Sequence, residues 1–302
     1  MFTRDVLSAC LFLSVSMTVL ASSQLMASAE SAAEQRPVAL VTGSTRGLGE
    51  EVARRLADAG FHVVVHGRSE RRGEQLVAEL RLAGGSAEFR QADFLELAQV
   101  VALADGLLAD FDRLSLLINN AGIGSPEDGH GLTGDGIDRV LQVNYLAHFL
   151  LTERLLPLLE AGAPARIINV SSAAQAPIDF DDPMLQRWQP DGREIGRHYA
   201  QSKLAQILHT IDLAERLDPS RITINALHPA TFMDTYMVRR AGIEPQTDVH
   251  EGADRVMQLV TDDVGTGRYY RDGEVAEPHP QALDPEARRA LRELSLRLIE
   301  GL

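Results

Sequence analysis

Apolar positions along this chain follow two rhythms, short unbroken runs and stretches in which they recur every three or four residues. The first run, Val38-Ala39-Leu40-Val41, is short enough for a strand buried on both faces. Gly43, Gly47 and Gly49 follow it, then Leu48, Val52, Ala53 and Leu56 mark one face of a helix that Gly60 stops. Phe61 to His66 reads as a second strand. A helix pattern through Leu76, Val77, Leu80 and Leu82 then ends at Gly84-Gly85. Ala87 to Ala92 is a weaker strand ending at Asp93-Phe94, and Val100, Val101, Leu103, Leu107 and Leu108 belong to the next helix. Leu114 to Ile118 is a clear strand that runs into Asn119-Asn120-Ala121-Gly122.

From about Gly136 the spacing predicts one long helix, with Ile137, Val140, Leu141, Asn144, Ala147 and Leu151 on a single face. Arg166 to Val170 is the next strand and ends at Ser171-Ser172. A long loop with Asp179, Asp181, Asp182, Pro183, Trp188 and Pro190 separates it from a helix that starts near His198 and stops at Asp218-Pro219. Ile222 to Leu227 is a strand closed by His228-Pro229, and Gly267 to Tyr270 has the makings of a last short one. Asp284-Pro285 caps a C-terminal helix with Ala287, Leu291, Leu294 and Leu298 on one side. Strands alternating with helices imply right-handed crossovers and a parallel sheet. The expected fold is therefore α/β, a doubly wound parallel sheet of the Rossmann type, forming one domain from residue 36 to 302.

Composition narrows the function. The chain has 302 residues, 45% hydrophobic and 24% charged, which suits a globular core. Its net charge of -14 opposes phosphate backbones and anionic lipid, so nucleic acid is not an expected partner. Cys10, the single cysteine, excludes an intramolecular disulfide and a cysteine metal cluster. His62 and His66 would share one strand face, but no third ligand is spaced to join them, and no metal site is expected.

Residues 1–35 stand apart from the fold. Arg4 precedes an apolar stretch from Val6 to Ala21, and Ala27-Ser28-Ala29 resembles a signal-peptidase site. A cleaved export signal, a membrane tether through residues 1–29 and an unstructured extension upstream of a start at Met26 all remain open. The stretch is too short to be firm evidence of a membrane span.

Ligands of such sheets bind beyond the carboxyl ends of the strands, near the point where strand order reverses. Gly43, Arg68, Asp93, Asn120, Ser172 and Pro229 all fall at those ends. The turn Gly43 to Gly49, between strand and helix, lets a diphosphate approach main-chain N–H groups at a helix N-terminus. A dinucleotide without a 2′-phosphate is usually held by an acidic residue after the second strand. Here that place has Gly67 and Arg68, and Arg46 lies in the turn, so two guanidiniums favour NADP(H) over NAD(H). A soluble nicotinamide cofactor in turn points to the cytoplasm.

Tyr199 and Lys203 are four residues apart on a predicted helix and project together, about 6 Å apart along its axis. A phenol ionises at about pH 10, and a fixed ammonium beside it favours the phenolate, making it a usable general acid or base. Arginine outnumbers lysine 28 to 1, and the single lysine is the one placed here.

Thr42-Gly43-Ser44-Thr45-Arg46-Gly47-Leu48-Gly49, Asn119-Asn120-Ala121-Gly122, Asn144, Ser171-Ser172 and Tyr199 to Lys203 together resemble the short-chain dehydrogenase/reductase family, in its compact single-domain branch. The resemblance spans roughly residues 36 to 300. It implies hydride transfer between a nicotinamide cofactor and a carbonyl or alcohol carbon, with a small molecule as substrate. Tyr199 would be the catalytic acid/base, Ser172 would bond the substrate oxygen, with Ser171 its rival, and Lys203 would bind the nicotinamide ribose and tune Tyr199. Asn144 would hold a proton-relay water. The turn residues Gly43, Ser44, Thr45, Arg46, Gly47, Leu48 and Gly49 would bind the cofactor, as would Arg68, Asp93, Phe94, Asn120, Ala121, Gly122, Pro229 and Thr231. Helices around Asn144 and Tyr199 commonly form dimer faces in the family, which leaves a homo-oligomer open.

Two departures stand out. Ser172 and Tyr199 are 27 positions apart, about twice the common family spacing, and the added segment resembles that of retinol-dehydrogenase-like members. Ala230 stands where the family usually has glycine. The rival readings are a non-catalytic NADP(H) sensor or scaffold with the same fold, and an epimerase or dehydratase of the extended relatives.

Overall fold

The strands β1 (Val38–Val41), β2 (His62–Gly67), β3 (Ser86–Gln91), β4 (Leu116–Asn119), β5 (Ala165–Val170), β6 (Ile222–His228), β7 (Tyr269–Arg271) and β8 (Glu274–Val275) form one sheet in the order β3-β2-β1-β4-β5-β6-β7-β8. All neighbours are parallel except β7 and β8, which pair antiparallel. Strand order reverses between β1 and β4, so their carboxyl ends flank the crevice. This computed structural model describes residues 36–124, 128, 131–187 and 194–302. The leader expected over 1–35, and Trp188 and Pro190 of the long loop, lie outside the described residues. Pro37–Leu302 cluster as one compact unit.

Burial on both faces explains why the central strands read as unbroken apolar runs. Leu40, Val64, Leu117, Ile167 and Ile224 point to one face. They meet the helices α3 (Leu97–Asp110), α5 (Ala147–Ala161), α6 (Glu194–Ala214) and α10 (Pro285–Leu298). Val41, Val63, Val65, Ile118 and Ile168 point to the other, under α1 (Gly47–Asp58), α2 (Glu70–Leu82) and α8 (Val249–Thr261). Each such side chain contributes about 1.5–3 kcal/mol when fully buried. The short helices are α4 (Arg139–Leu141), α7 (Tyr236–Arg240) and α9 (Pro280–Leu283).

The architecture is the expected doubly wound sheet, with local differences, among them the unexpected short elements β8, α7 and α9. The single long helix expected from Gly136 is α4, a π-turn over Gln142–Leu146, and then α5. One extra residue in a turn does not disturb an apolar periodicity enough to be seen. α6 begins at Glu194, before His198. β7 begins at Tyr269 instead of Gly267. α8 was not expected at all, although Asp248 caps it by accepting from Glu251 N–H at 2.8 Å, and Gly252, Ala253, Val256 and Leu259 are its buried face. Its small residues hid the stripe. Among the described residues no helix is long and apolar enough to cross a membrane.

Asp284 caps α10 by accepting from Glu286 N–H at 2.9 Å, and the helix packs along α6. The contact is pinned by a buried pair. Ser295 Oγ donates to Leu291 O at 2.8 Å, so the Tyr145 hydroxyl, 2.7 Å away, must donate to Ser295. Burial pushes the Tyr145 phenol far above its ordinary range, so it keeps its proton. Arg288 adds an ion pair to Glu215 at 2.6 Å. Part of the surface of α6, where the family resemblance implied a dimer face, is thus covered by the chain's own C-terminal helix.

The two halves of this hydrogen bond are unequal. Tyr145→Phe removes a donor and leaves Ser295 bonded to Leu291, at a cost of about 1 kcal/mol. Ser295→Ala strands a buried phenol and should cost up to about 3 kcal/mol. Urea unfolding should rank Ser295→Ala as the less stable variant.

Candidate active site

The site is built around the end of β1. Thr42 is fully buried, and its hydroxyl accepts the N–H groups of Asn120 at 2.9 Å and Ala121 at 3.0 Å. Asn120 returns the contact, its Nδ2 donating to the carbonyls of Thr42 at 2.8 Å and Gly43 at 3.2 Å. The turns after β1 and β4 are therefore one bonded unit. Gly43 has φ +64°, and a Cβ there would stand 2.7 Å from Ala121 Cα. At Gly49 a Cβ would stand 2.5 Å from both Gly43 O and Asn120 Nδ2, so α1 can start this close to the turn with glycine alone.

Beneath the turn lies His66. Gly43 N–H donates to its Nδ1 at 3.1 Å, which requires that nitrogen to be unprotonated. Burial pushes His66 down to about 4, so the ring is neutral. Phe94 stacks on it with centroids 4.5 Å apart. The Phe94 ring is core, filling the gap between His66 and α5. Ser44 is fully buried and bonded to β1 and β2, its Oγ donating to Val41 O at 2.7 Å and accepting His66 N–H at 2.9 Å.

Arg46 takes the N-cap position of α1 with extended backbone and makes no side-chain cap, which leaves the first N–H groups of Gly47, Leu48 and Gly49 without a capping side chain. Its guanidinium lies 4.1 Å from the centroid of the Tyr236 ring. Arg68 reaches towards Asp93, 3.8 Å away, and Asp93 also accepts Leu95 N–H at 3.0 Å.

The other group converges on the segment Gly122 to Gly124. A Cβ on Gly122 would lie 3.4 Å from Asn144 Oδ1 and 3.8 Å from Lys203 Nζ, and one on Gly124 would lie 2.6 Å from Tyr199 Cδ2. Asn144, in the π-turn, clasps Ile123 with Oδ1 accepting at 2.8 Å and Nδ2 donating at 3.0 Å. Its Nδ2 also donates to Ser202 Oγ at 3.0 Å, and Ser202 Oγ donates in turn to Tyr199 O at 2.7 Å. The Ser172 side chain lies close enough to the Tyr199 phenol to favour its ionised form, while its Oγ accepts Ala174 N–H at 3.0 Å. Ser171 is directed elsewhere, donating to Lys203 O at 2.7 Å. The backbone carbonyl of Ser172 is held by Tyr269 Oη at 3.0 Å and Gln175 Nε2 at 3.3 Å.

Electrostatics here differ from the helix-pair expectation. Burial raises the Tyr199 phenol, and the Ser172 hydrogen bond opposes that rise. Burial pulls Lys203 down to about 7. Its Nζ donates to Val170 O at 2.7 Å and Gln206 Oε1 at 3.1 Å and lies 5.6 Å from the Tyr199 ring centroid. With its donors turned to those oxygens, the lysine by itself does not lower the phenol.

Pro229 and Thr231 separate. Pro229 packs near Gly252 of α8, while Thr231 Oγ1 bonds His228 Nε2 at 3.0 Å within its own loop. Thr235 lies closer to the glycine turn, 3.5 Å from where a Gly47 Cβ would stand, and caps α7 through Val238 N–H. Gln206, Thr235 and Tyr269 were not singled out from the sequence, and Thr42 and His66 were noted there without the contacts they make. Thr235 carries no signal there beyond being a threonine, Thr42, His66 and Tyr269 act through contacts distant along the chain, and Gln206 reaches Lys203 one helical turn away.

The sequence model of the short chain dehydrogenase family matches residues 37–179. Human dehydrogenase/reductase SDR family member 13 is 34% identical over 281 residues, covering 86% of this chain and 72% of the relative. Human retinol dehydrogenase 13 is 33% identical over 282 residues, covering 86% and 83%. The chain belongs to the short-chain dehydrogenase/reductase family. Among solved structures, a protein from Mycobacterium paratuberculosis superposes with a TM-score of 0.71 at 29% identity, over 87% of this chain and 93% of that one. A short chain dehydrogenase from Burkholderia cenocepacia J2315 in complex with NADP gives 0.62 at 30% identity, over 79% and 96%.

As a short-chain dehydrogenase/reductase, the protein is an oxidoreductase that acts on CH–OH groups and binds NAD(P). The residues present fit such a dinucleotide. The uncapped start of α1, the glycines that keep Cβ atoms out of the turn and the two arginines make a cradle for phosphate. A side chain at Gly43 closes it. Gly43→Ala combines left-handed strain of roughly 1–2 kcal/mol with the overlap on Ala121, and should weaken dinucleotide binding by about tenfold or more in a fluorescence titration.

Proposed function

We propose that this oxidoreductase uses NADP(H) in preference to NAD(H) and that Tyr199 is its general acid/base. The convergence of Ser172, Tyr199, Lys203 and Asn144 along Gly122 to Gly124 carries the reading. When bound, the cofactor supplies or accepts the hydride at the substrate carbon. In the reducing direction the Tyr199 hydroxyl gives its proton to the carbonyl oxygen as that oxygen gains negative charge. In the oxidising direction Tyr199 takes the alcohol proton. Ser172 Oγ donates a hydrogen bond to the same oxygen and fixes its place beside the phenol. Lys203 holds the nicotinamide ribose, and Asn144 holds the water through which Tyr199 recovers its proton. Burial, which raises Tyr199, keeps it protonated at neutral pH and so ready as an acid.

Arg46, stacked on Tyr236, and Arg68, held only in a 3.8 Å pair with Asp93, support the phosphate preference. Relatives named retinol dehydrogenase 13 and, at 37% identity over 291 residues, mouse polyprenol dehydrogenase support an apolar alcohol and its carbonyl as substrate pair. Phe232, Tyr236 and Ile243, exposed on the segment after Pro229, fit that class.

Tyr199→Phe should lower kcat by about a thousandfold and leave the NADPH dissociation constant nearly unchanged, and substantial remaining turnover would refute the acid/base role. NADPH should bind about tenfold or more tightly than NADH, and Arg46→Ala should erase most of that gap. Equal affinities in the native protein would refute the phosphate preference.

A further inference from the structure

The Thr42 hydroxyl has one proton to give and two neighbours that could take it. Its lone pairs face the Asn120 and Ala121 N–H groups. Ile118 O stands 3.3 Å away and already accepts the N–H groups of Thr42 and Asn120. His148 Nε2 is nearer, at 2.9 Å. The far side of the imidazole settles the direction. His148 Nδ1 lies 3.0 Å from Asn144 O, a carbonyl that can only accept, so Nδ1 carries the hydrogen. A neutral ring then has its lone pair on Nε2, and Thr42 donates to it. Burial pushes His148 down to about 3, with the Lys203 charge acting in the same direction, and the ring stays neutral. Phe94 meets its face edge-on at 5.3 Å.

The bonds therefore run one way, from the N–H groups of Asn120 and Ala121 into Thr42, from Thr42 into His148, and from His148 into the Asn144 carbonyl. They join the bonded turns of β1 and β4 to the π-turn that carries Asn144. We propose that His148 is a positioning residue that sets the dinucleotide-binding turn and the Asn144 backbone relative to each other. A hydrocarbon there leaves Thr42 only the Ile118 carbonyl, 3.3 Å away and already shared by two N–H groups, and leaves Asn144 O without this donor, so the two halves of the crevice lose their common reference. The consequence for turnover rests on the roles proposed for Tyr199 and Asn144. The consequence for dinucleotide affinity rests on the fold and family alone.

The test is a double-mutant cycle on the full chain, read by fluorescence titration with NADPH and by thermal unfolding. Thr42→Val and His148→Leu should each weaken NADPH binding about tenfold, and the double variant should bind no worse than the weaker single. His148→Gln keeps an acceptor towards Thr42 and should recover NADPH affinity to within about threefold of native. His148→Asn keeps only the donor towards Asn144 and should not, and this pair carries the test if the leucine variant fails to fold. Losses that multiply in the double variant overturn the proposal. So do glutamine and asparagine variants that behave alike, or an NADPH affinity unmoved by a lowered melting temperature. Activity surviving in Tyr199→Phe would defeat the acid/base reading while leaving these titrations valid. Equal native affinities for NADH and NADPH would defeat the phosphate reading, and the cycle would give the same answer with NADH.

Discussion

A parallel sheet covered by helices on both faces can accept polar side chains only near the ends of its strands, and each one placed there must find a partner or bear a desolvation penalty. The hydroxyl of Thr42 meets that constraint for the whole carboxyl edge. It gathers backbone N–H groups from the neighbouring strand's turn, and the Asn120 amide bonds back to the β1 backbone. Because the crevice lies where strand order reverses, this one buried threonine decides how the two turns that flank it face each other. The glycines matter for the same reason: Gly43 and Gly49 stand where any Cβ would force the turns apart.

The same desolvation acts on the ionisable groups. His66 and His148 are both buried and neutral, each with one nitrogen accepting and no charge to solvate. Lys203 is pulled down to about 7, and its ammonium is satisfied by a strand carbonyl and an amide oxygen in place of a counter-ion. Tyr199 is raised, with Ser172 working against the rise. Many of the described arginines sit in ion pairs such as Arg55 with Glu51 and Arg221 with Glu160.

Much of this arrangement was legible from the chain alone, because it depends on contacts between near neighbours. The apolar runs of β1 and β4 to β6, the glycine turn and the four-residue step from Tyr199 to Lys203 are all short-range patterns, and the structure keeps them. α8 carried an N-cap signal in Asp248 and Glu251, yet two of its four buried positions are Gly252 and Ala253, which register weakly as apolar. The π-turn at Asn144 was not legible, since its cause lies in the bonds that Asn144 makes to Ile123 and Ser202.

Sequence by itself determined the parallel α/β pattern of the main strands and helices, the glycine turn and the four-residue step from Tyr199 to Lys203, because backbone conformation and i to i+4 spacing set these locally. Tertiary structure alone turned Ser171 onto the Lys203 carbonyl, put the Phe94 ring in the core, brought Thr235 nearer the glycine turn than Thr231, and oriented His148 between Thr42 and Asn144. The reason is distance along the chain. Thr42 and His148 are 106 residues apart, and a hydrogen bond of that span is dictated by how the sheet closes and how α5 packs on it, which no local pattern encodes.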